Sequence, residues 1–370
     1  MIKIAVLTSS RADYGIYEPL LNLFAKDHEI DLSIVAFGMH LLEKYGLTID
    51  QVKADAYGKV YEIEGMSLGD SPQAIAESYA SVLSNFAQFW SNHVFDIVFA
   101  LGDRYEMSAA VQASIPFNVQ LAHIHGGETT LGAIDNIYRH QITLASSLHF
   151  TASDVFAKRV TSIIETGEPV HNVGALSLDG LDELELPQWS DVARKFDIPE
   201  NPFVLVTVHP ETVNLSRNER NAEELFKALG ILCMEINLVI TLTNADAGGN
   251  VYRQKAIELK REFSDRIFLV DNFGRLNYFA AMKASSFLLG NTSSGIIEAA
   301  SMNKFVLNLG DRQAGRLQSK NIKDIPFEED KILKSAYQLI LEGEFRGLNV
   351  YFRPDTAENI VKITKNYVHA

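Results

Sequence analysis

Short aliphatic and β-branched runs alternate with segments whose apolar residues recur at three-to-four spacing, and the alternation runs twice through this chain. A strand with little internal polarity must be covered on both faces, and a helix between consecutive strands makes their natural pairing parallel. The first series reads "IKIAVLT" as strand, "SSRADYG" as loop and "IYEPLLNLFAKD" as helix. It continues through the strands "IDLSIVAFG", "DIVFALG" and "NVQLAHIHGG", separated by the helical segments "SPQAIAESYASVLSNFAQFWSNH" and "RYEMSAAVQAS" and followed by "AIDNIYRHQITLAS". The polar, proline-bearing stretch "LDGLDELELPQWSDVARKFDIPENP" then breaks the pattern, which restarts at "FVLVTVH" and runs to "KFVLNLG". The expectation is an α/β chain of two doubly wound, Rossmann-like domains, residues 1–180 and 200–354. An amphipathic helix over 355–370, starting at an Asp or Thr cap, is expected to fold back on the first.

A chain of 370 residues with 47% hydrophobic content suits two cores of ordinary size. The formal charge of −14, without a Lys/Arg stripe, argues against a nucleic-acid partner, so an anionic ligand must be held locally. Cys233 is the single cysteine, which excludes an intrachain disulfide and a cysteine-rich zinc site. No apolar run reaches the length of a membrane span, and the N-terminus is too quickly interrupted for a signal segment, so a cytoplasmic location is expected.

In open α/β sheets ligands sit outside the carboxyl ends of the strands. After "SFLLG" come Asn291, Thr292, Ser293, Ser294 and Gly295 ahead of a helix, a run of hydroxyls and backbone N–H groups suited either to an anion or to a simple helix cap. Arg312, one βα unit later, is placed to reach the same phosphate, while Arg11 and Arg104 lie at strand ends of the first half. Neither a G-x-G-x-x-G nor a P-loop is present, and no cofactor is expected. The densest titratable cluster is Asp103, His123, His125, Glu128, Asp135, Arg139 and His140. His123 and His125, two apart, are expected on one sheet face; the two following glycines would admit a ligand close to the backbone. Asp135 and Arg139, four apart, suit a helix-surface ion pair as well as a site. Zinc at the histidines is the weaker alternative because no H-E-x-x-H spacing supports it. In the second half His209 follows a buried strand, and Asn244 and Asp246 stand at the end of the next.

Taken together, "SSRADYG", "FGMH", "LGDRYE", "HIHGGE", "RHQIT", "VHPET", "NADAGG", "GNTSSGIIE" and "NLGDRQAGR" resemble the hydrolysing UDP-N-acetylglucosamine 2-epimerases of bacterial sialic-acid biosynthesis, the NeuC type, over nearly the whole chain. The resemblance implies a GT-B-like pair of domains with the active site between them. It implies loss of UDP by elimination after removal of the C2 proton, then hydration of the resulting 2-acetamidoglucal to N-acetylmannosamine. By resemblance, Arg11, Arg104, Asn244, Thr292, Ser293, Glu298 and Arg312 would hold UDP, together with the Ser294–Gly295 turn. His209 would serve the diphosphate side, and Asp103, Asp135 and the "HIHGGE" segment the sugar, with His40 and Arg139 as neighbours. A homo-oligomer is implied too. The chain departs from wider relatives, which read "HIEGGE", by carrying His125; either His125 itself or Glu128 would then do the missing acid–base work.

Two other functions share the architecture. A GT-B glycosyltransferase would need an acceptor, and a sugar-nucleotide sensor would not need Asp103, His125 and Asp135 together; release of UDP without acceptor separates all three. Within the epimerases, UDP-2,4-diacetamido-2,4,6-trideoxyglucose is the alternative substrate.

Overall fold

In the computed structural model every paired strand is parallel, and the strands form two sheets. The structure describes all residues except 70, 132, 168, 182–183, 212, 214 and 243–248. The chain divides into two units: Met1–Glu128, Asp135–Asp182 and Tyr351–Ala370 form unit 1, and Thr129–Ile134 with Glu183–Val350 form unit 2.

Unit 1 holds β1 (Ile2–Thr8), β2 (Ile30–Phe37), β3 (Lys59–Ile63), β4 (Ile97–Leu101), β5 (Leu121–Ile124), β6 (Leu148–Thr151) and β7 (Val170–Asn172). Their spatial order is β3-β2-β1-β4-β5-β6-β7. Its principal helices are α1 (Arg11–Lys26), α2 (Ile49–Ala54), α3 (Pro72–Asn92), α4 (Tyr105–Ser114), α5 (Asp135–Ala145) and α6 (Asp154–Ile164). Strand alternation divides the core: Ile4 and Val6 of β1 join Phe24, Phe99 and Phe150 on one face, while Ala5 and Leu7 join Phe86, Phe89 and Trp90 on the other. Each such fully buried aromatic contributes on the order of 1.5–3 kcal/mol of transfer free energy.

Unit 2 repeats the plan with β8 (Phe203–Thr207), β9 (Asn237–Thr241), β10 (Ile267–Val270), β11 (Leu288–Gly290), β12 (Val306–Leu309) and β13 (Ile322–Ile325), ordered β10-β9-β8-β11-β12-β13. Its helices are α7 (Trp189–Lys195), α8 (Asn218–Leu232), α9 (Gly249–Glu262), α10 (Arg275–Ala284), α11 (Ser293–Ile297) and α12 (Glu329–Glu342). In both units the winding reverses beside the first strand, between β1 and β4 and between β8 and β11, which is where such sheets open a crevice for ligands. At the second reversal Gly290 adopts φ +152°, and a Cβ there would stand 1.8 Å from the carbonyl oxygen of Thr207. Only glycine lets β11 approach β8 so closely.

The last helix, α13 (Thr356–His369), belongs to unit 1: Lys365 bonds Asp27 at 2.9 Å and also pairs with Glu29, and Thr356 Oγ1 donates to Val173 O at 2.7 Å. Its N-cap residue, Asp355, sits in left-handed backbone and makes no side-chain cap bond. Two local expectations are corrected. The "SSRADYG" segment is not a loop throughout, since α1 already begins at Arg11: Ser10 caps it by accepting from Asp13 N, while Asp13 reaches back to the Ser10 amide. The helix after "GNTSS" is a single short turn, Ser293–Ile297, and Thr292 rather than either serine caps it, accepting from Ser294 N at 3.2 Å.

Candidate active site

In unit 1 the titratable residues gather beyond the ends of β1, β4 and β5. Asp13 is buried and accepts from Ser9 N, Ser10 N, Ser9 Oγ and Thr8 Oγ1, the last at 2.6 Å. Because Thr8 gives its proton to Asp13, the 3.0 Å contact between Thr8 Oγ1 and His40 must be donated by Nε2–H, leaving Nδ1 to accept from Thr48 Oγ1 at 2.7 Å. Burial lowers the pKa of His40. His40 thus sits in a chain of hydrogen bonds that runs from Asp13 through Thr8 to Thr48. Asp13 is a residue that sequence reasoning missed; its signal was the S-x-x-D spacing of an N-terminal cap.

Beyond β4 and β5, Asp103 pairs with the guanidinium of Arg139, whose Nη1 also donates to the carbonyl of Glu128 at 2.9 Å. Arg139 is only 1% exposed. Arg139 thus makes a tie between α5 and the ends of two strands, beyond the helix-surface pairing its spacing from Asp135 suggests. Asp135 is the first residue of α5 and partly exposed. His125 Nδ1 donates to Glu128 Oε1 at 2.7 Å, both side chains being buried. The two histidines do not continue on one strand face, since β5 ends at Ile124 and His125 turns into left-handed backbone at φ +66°. A non-glycine residue held there is a strained position of the kind found at functional sites.

His123 is a supporting residue. Its Nε2–H donates to Gly102 O at 2.9 Å and its Nδ1 contacts Thr143 Oγ1 at 3.1 Å, so neither nitrogen is available to a metal. The glycines that follow serve the protein's own packing: a Cβ on Gly127 would lie 2.4 Å from Phe156 O, and one on Gly126 would lie 3.0 Å from His123 Nδ1. Arg104 pairs with the fully buried Glu106 and contacts Met39 Sδ at 3.5 Å, while Arg11 is exposed at the start of α1.

Burial pushes the His123 imidazole down to about 3 and that of His149 on β6 down to about 4. Both rings are neutral when folded, whereas the unfolded chain takes up protons below about 6.5. Stability is therefore complete above that pH and is lost as pH falls toward 4, at about 1.4 kcal/mol per pH unit for each ring. Urea midpoints at pH 7 and pH 5 check this, and His149→Leu is expected to flatten the slope.

In unit 2, His209 follows β8 and is locked by a reciprocal amide clamp: its N–H donates to Asn291 Oδ1 at 2.7 Å, and Asn291 Nδ2 donates to its carbonyl at 2.9 Å. Arg312 Nη1 donates to Pro210 O at 2.7 Å, and Gln313 donates to Asn291 O at 2.7 Å. Buried Glu211 receives the Asp311 amide at 2.7 Å. The loops after β8, β11 and β12 thus form one bonded platform carrying His209, Thr292, Ser293, Ser294 and Arg312. Ser293 is exposed, Thr292 and Ser294 are partly so, Gly295 is packed against Val306, and Glu298 is buried at the end of α11. Asn291, Glu211 and Gln313 are structural parts of the platform that sequence reasoning did not single out for this role. Asn244 and Asp246 lie outside the described residues.

The profile of the family described as "UDP-N-acetylglucosamine 2-epimerase" matches residues 23–365. The chain belongs to the UDP-N-acetylglucosamine 2-epimerase family. This family member is 32% identical, over all of its own length and 95% of the other's, to the polysialic acid biosynthesis protein P7 of Escherichia coli. It is 31% identical, over 98% of its length and 95% of the other's, to the UDP-N,N'-diacetylbacillosamine 2-epimerase (hydrolyzing) of Legionella pneumophila. Among solved structures, the UDP-GlcNAc 2-epimerase of Neisseria meningitidis bound to UDP-GlcNAc superposes with a TM-score of 0.80 at 18% identity, covering 99% of this chain and 100% of that one. The fold of this epimerase-family chain, with its two parallel-sheet α/β units, is thus GT-B-like. No helix among its described residues is long and apolar enough to cross a membrane.

Proposed function

We propose that the chain is a hydrolysing UDP-N-acetylglucosamine 2-epimerase that converts UDP-N-acetylglucosamine and water to N-acetylmannosamine and UDP, supplying sialic-acid synthesis in the cytoplasm as a homo-oligomer. The observation that carries the reading is the largely buried group beyond β4 and β5, in which a partly exposed Asp103 pairs with Arg139, and this pair and the His125–Glu128 pair share one loop through the Glu128 carbonyl. Elimination across C1–C2 needs a base for a weakly acidic proton, cations for the departing diphosphate and an acid to protonate C2 during hydration. Asp103, Asp135, His125 and Glu128 supply the acid–base groups, with His40 and Arg139 beside them. Arg11, Arg104, Asn244, Thr292, Ser293, Ser294, Gly295, Glu298 and Arg312 are assigned to UDP, Glu298 to its ribose hydroxyls and His209 to the diphosphate side.

A second reading, hydrolysis and epimerisation of UDP-2,4-diacetamido-2,4,6-trideoxyglucose, is supported by the 31% identity to the Legionella enzyme of related name. Proton NMR in D2O, with each nucleotide sugar offered separately and no acceptor, tests both. The expected result is UDP plus a C2-deuterated, manno-configured free sugar from UDP-N-acetylglucosamine. The same products only from the diacetamido substrate would transfer the assignment to the second reading, and turnover of neither would overturn both.

A further inference from the structure

We infer that His125 Nε2 is the base that removes the C2 proton, and that Glu128 is its positioning residue; the inference rests on the epimerase reading above. His125 is 7% exposed and its two nitrogens are in unlike states. Nδ1–H is committed to Glu128 Oε1 at 2.7 Å, whereas buried Nε2 has no hydrogen-bond partner among the described residues. A buried polar nitrogen left unpaired is costly, so it calls for a reason. The Glu128 bond fixes the tautomer: with the proton on Nδ1, Nε2 presents a lone pair.

The alternatives on the same strand ends are otherwise engaged. Asp103 is held by Arg139, His123 is bonded through both nitrogens, and His40 is in the chain of hydrogen bonds from Asp13 to Thr48. A weakly acidic C–H also favours an imidazole over a carboxylate, because their ordinary pKa values are about 6.5 and about 4. In the step assigned, the C2–H bond breaks and its proton goes to Nε2. The bonding pair forms the C1–C2 double bond, the C1–O bond breaks, and its electrons leave with UDP. The imidazolium that remains is paired with the Glu128 carboxylate until its proton passes to solvent.

The left-handed backbone supplies a clean test, because His125→Gly suits φ +66° better than the native residue does. Two reactions are followed by NMR in the full-length protein: UDP release from UDP-N-acetylglucosamine, and hydration of added 2-acetamidoglucal in the presence of UDP. His125→Gly is expected to slow UDP release at least ~100-fold, with partial recovery on adding imidazole, and to slow glucal hydration less than ~10-fold. Glu128→Gln is expected to lower kcat at least ~10-fold with KM unchanged. Near-normal UDP release by His125→Gly, or parallel loss of both reactions without imidazole rescue, would overturn the assignment. Normal kcat in Glu128→Gln would remove the positioning role. Should the wild-type protein release no UDP from either nucleotide sugar, the underlying reading fails instead, before any variant is compared.

Discussion

Asp103→Asn is expected to lower turnover of UDP-N-acetylglucosamine by about 1,000-fold while UDP still binds. The substitution keeps the shape of the side chain and removes its charge. Arg139, 1% exposed, then loses the Asp103 carboxylate and its hold on the Glu128 carbonyl loosens, so the loop carrying His125 is affected along with Asp103 itself. Loss of one charge-assisted hydrogen bond should cost about 1–3 kcal/mol of stability, well short of unfolding the protein. Steady-state kinetics beside calorimetric titration with UDP separates the outcomes. Near-normal kcat would remove Asp103 from the chemistry, and a parallel collapse of UDP affinity would give it a binding role instead.

Gly290→Ala is expected to destabilise unit 2 by about 3 kcal/mol or more, the range of severe steric and backbone effects. The new methyl would lie 1.8 Å from Thr207 O at a backbone angle of φ +152°, so β11 must move away from β8. A shift of roughly 5–10 °C in Tm follows for a unit of this size. Gly343→Ala provides the control: it too has positive φ, +79°, but a Cβ there meets nothing within 4 Å, so only the backbone penalty of about 1–3 kcal/mol remains. Equal Tm values for the two variants would show that the β8–β11 contact tolerates separation.

The central strands were legible because their residues are apolar throughout. β3 and β13 were not: they are edge strands carrying exposed Lys59, Glu62, Lys323 and Asp324, and so lack the apolar run of a covered strand. β6 is central but only four residues long, and His149 interrupts it. β7 is a three-residue edge strand. At the site, strand-end position singled out Asp103, His125 and His209, yet their partners depend on distant segments meeting. Nothing local announces that Arg139 turns to Asp103, 36 positions earlier, or that Asn291 clamps His209 across 82 positions. Nor does the "GG" of "HIHGGE" announce that Gly127 packs against Phe156 and Gly126 against His123.

The return of Tyr351–Ala370 to unit 1 has a consequence for the order in which the protein is made. On a ribosome, residues Glu183–Val350 emerge and can complete unit 2 while unit 1 still waits for α13. The half that is translated first is finished last, when Lys365 reaches Asp27 across 338 positions. A nascent chain stalled before Tyr351 would hold a completed unit 2 and a unit 1 lacking its final helix, so the bonded loops after β8, β11 and β12 would form before the helix that closes unit 1.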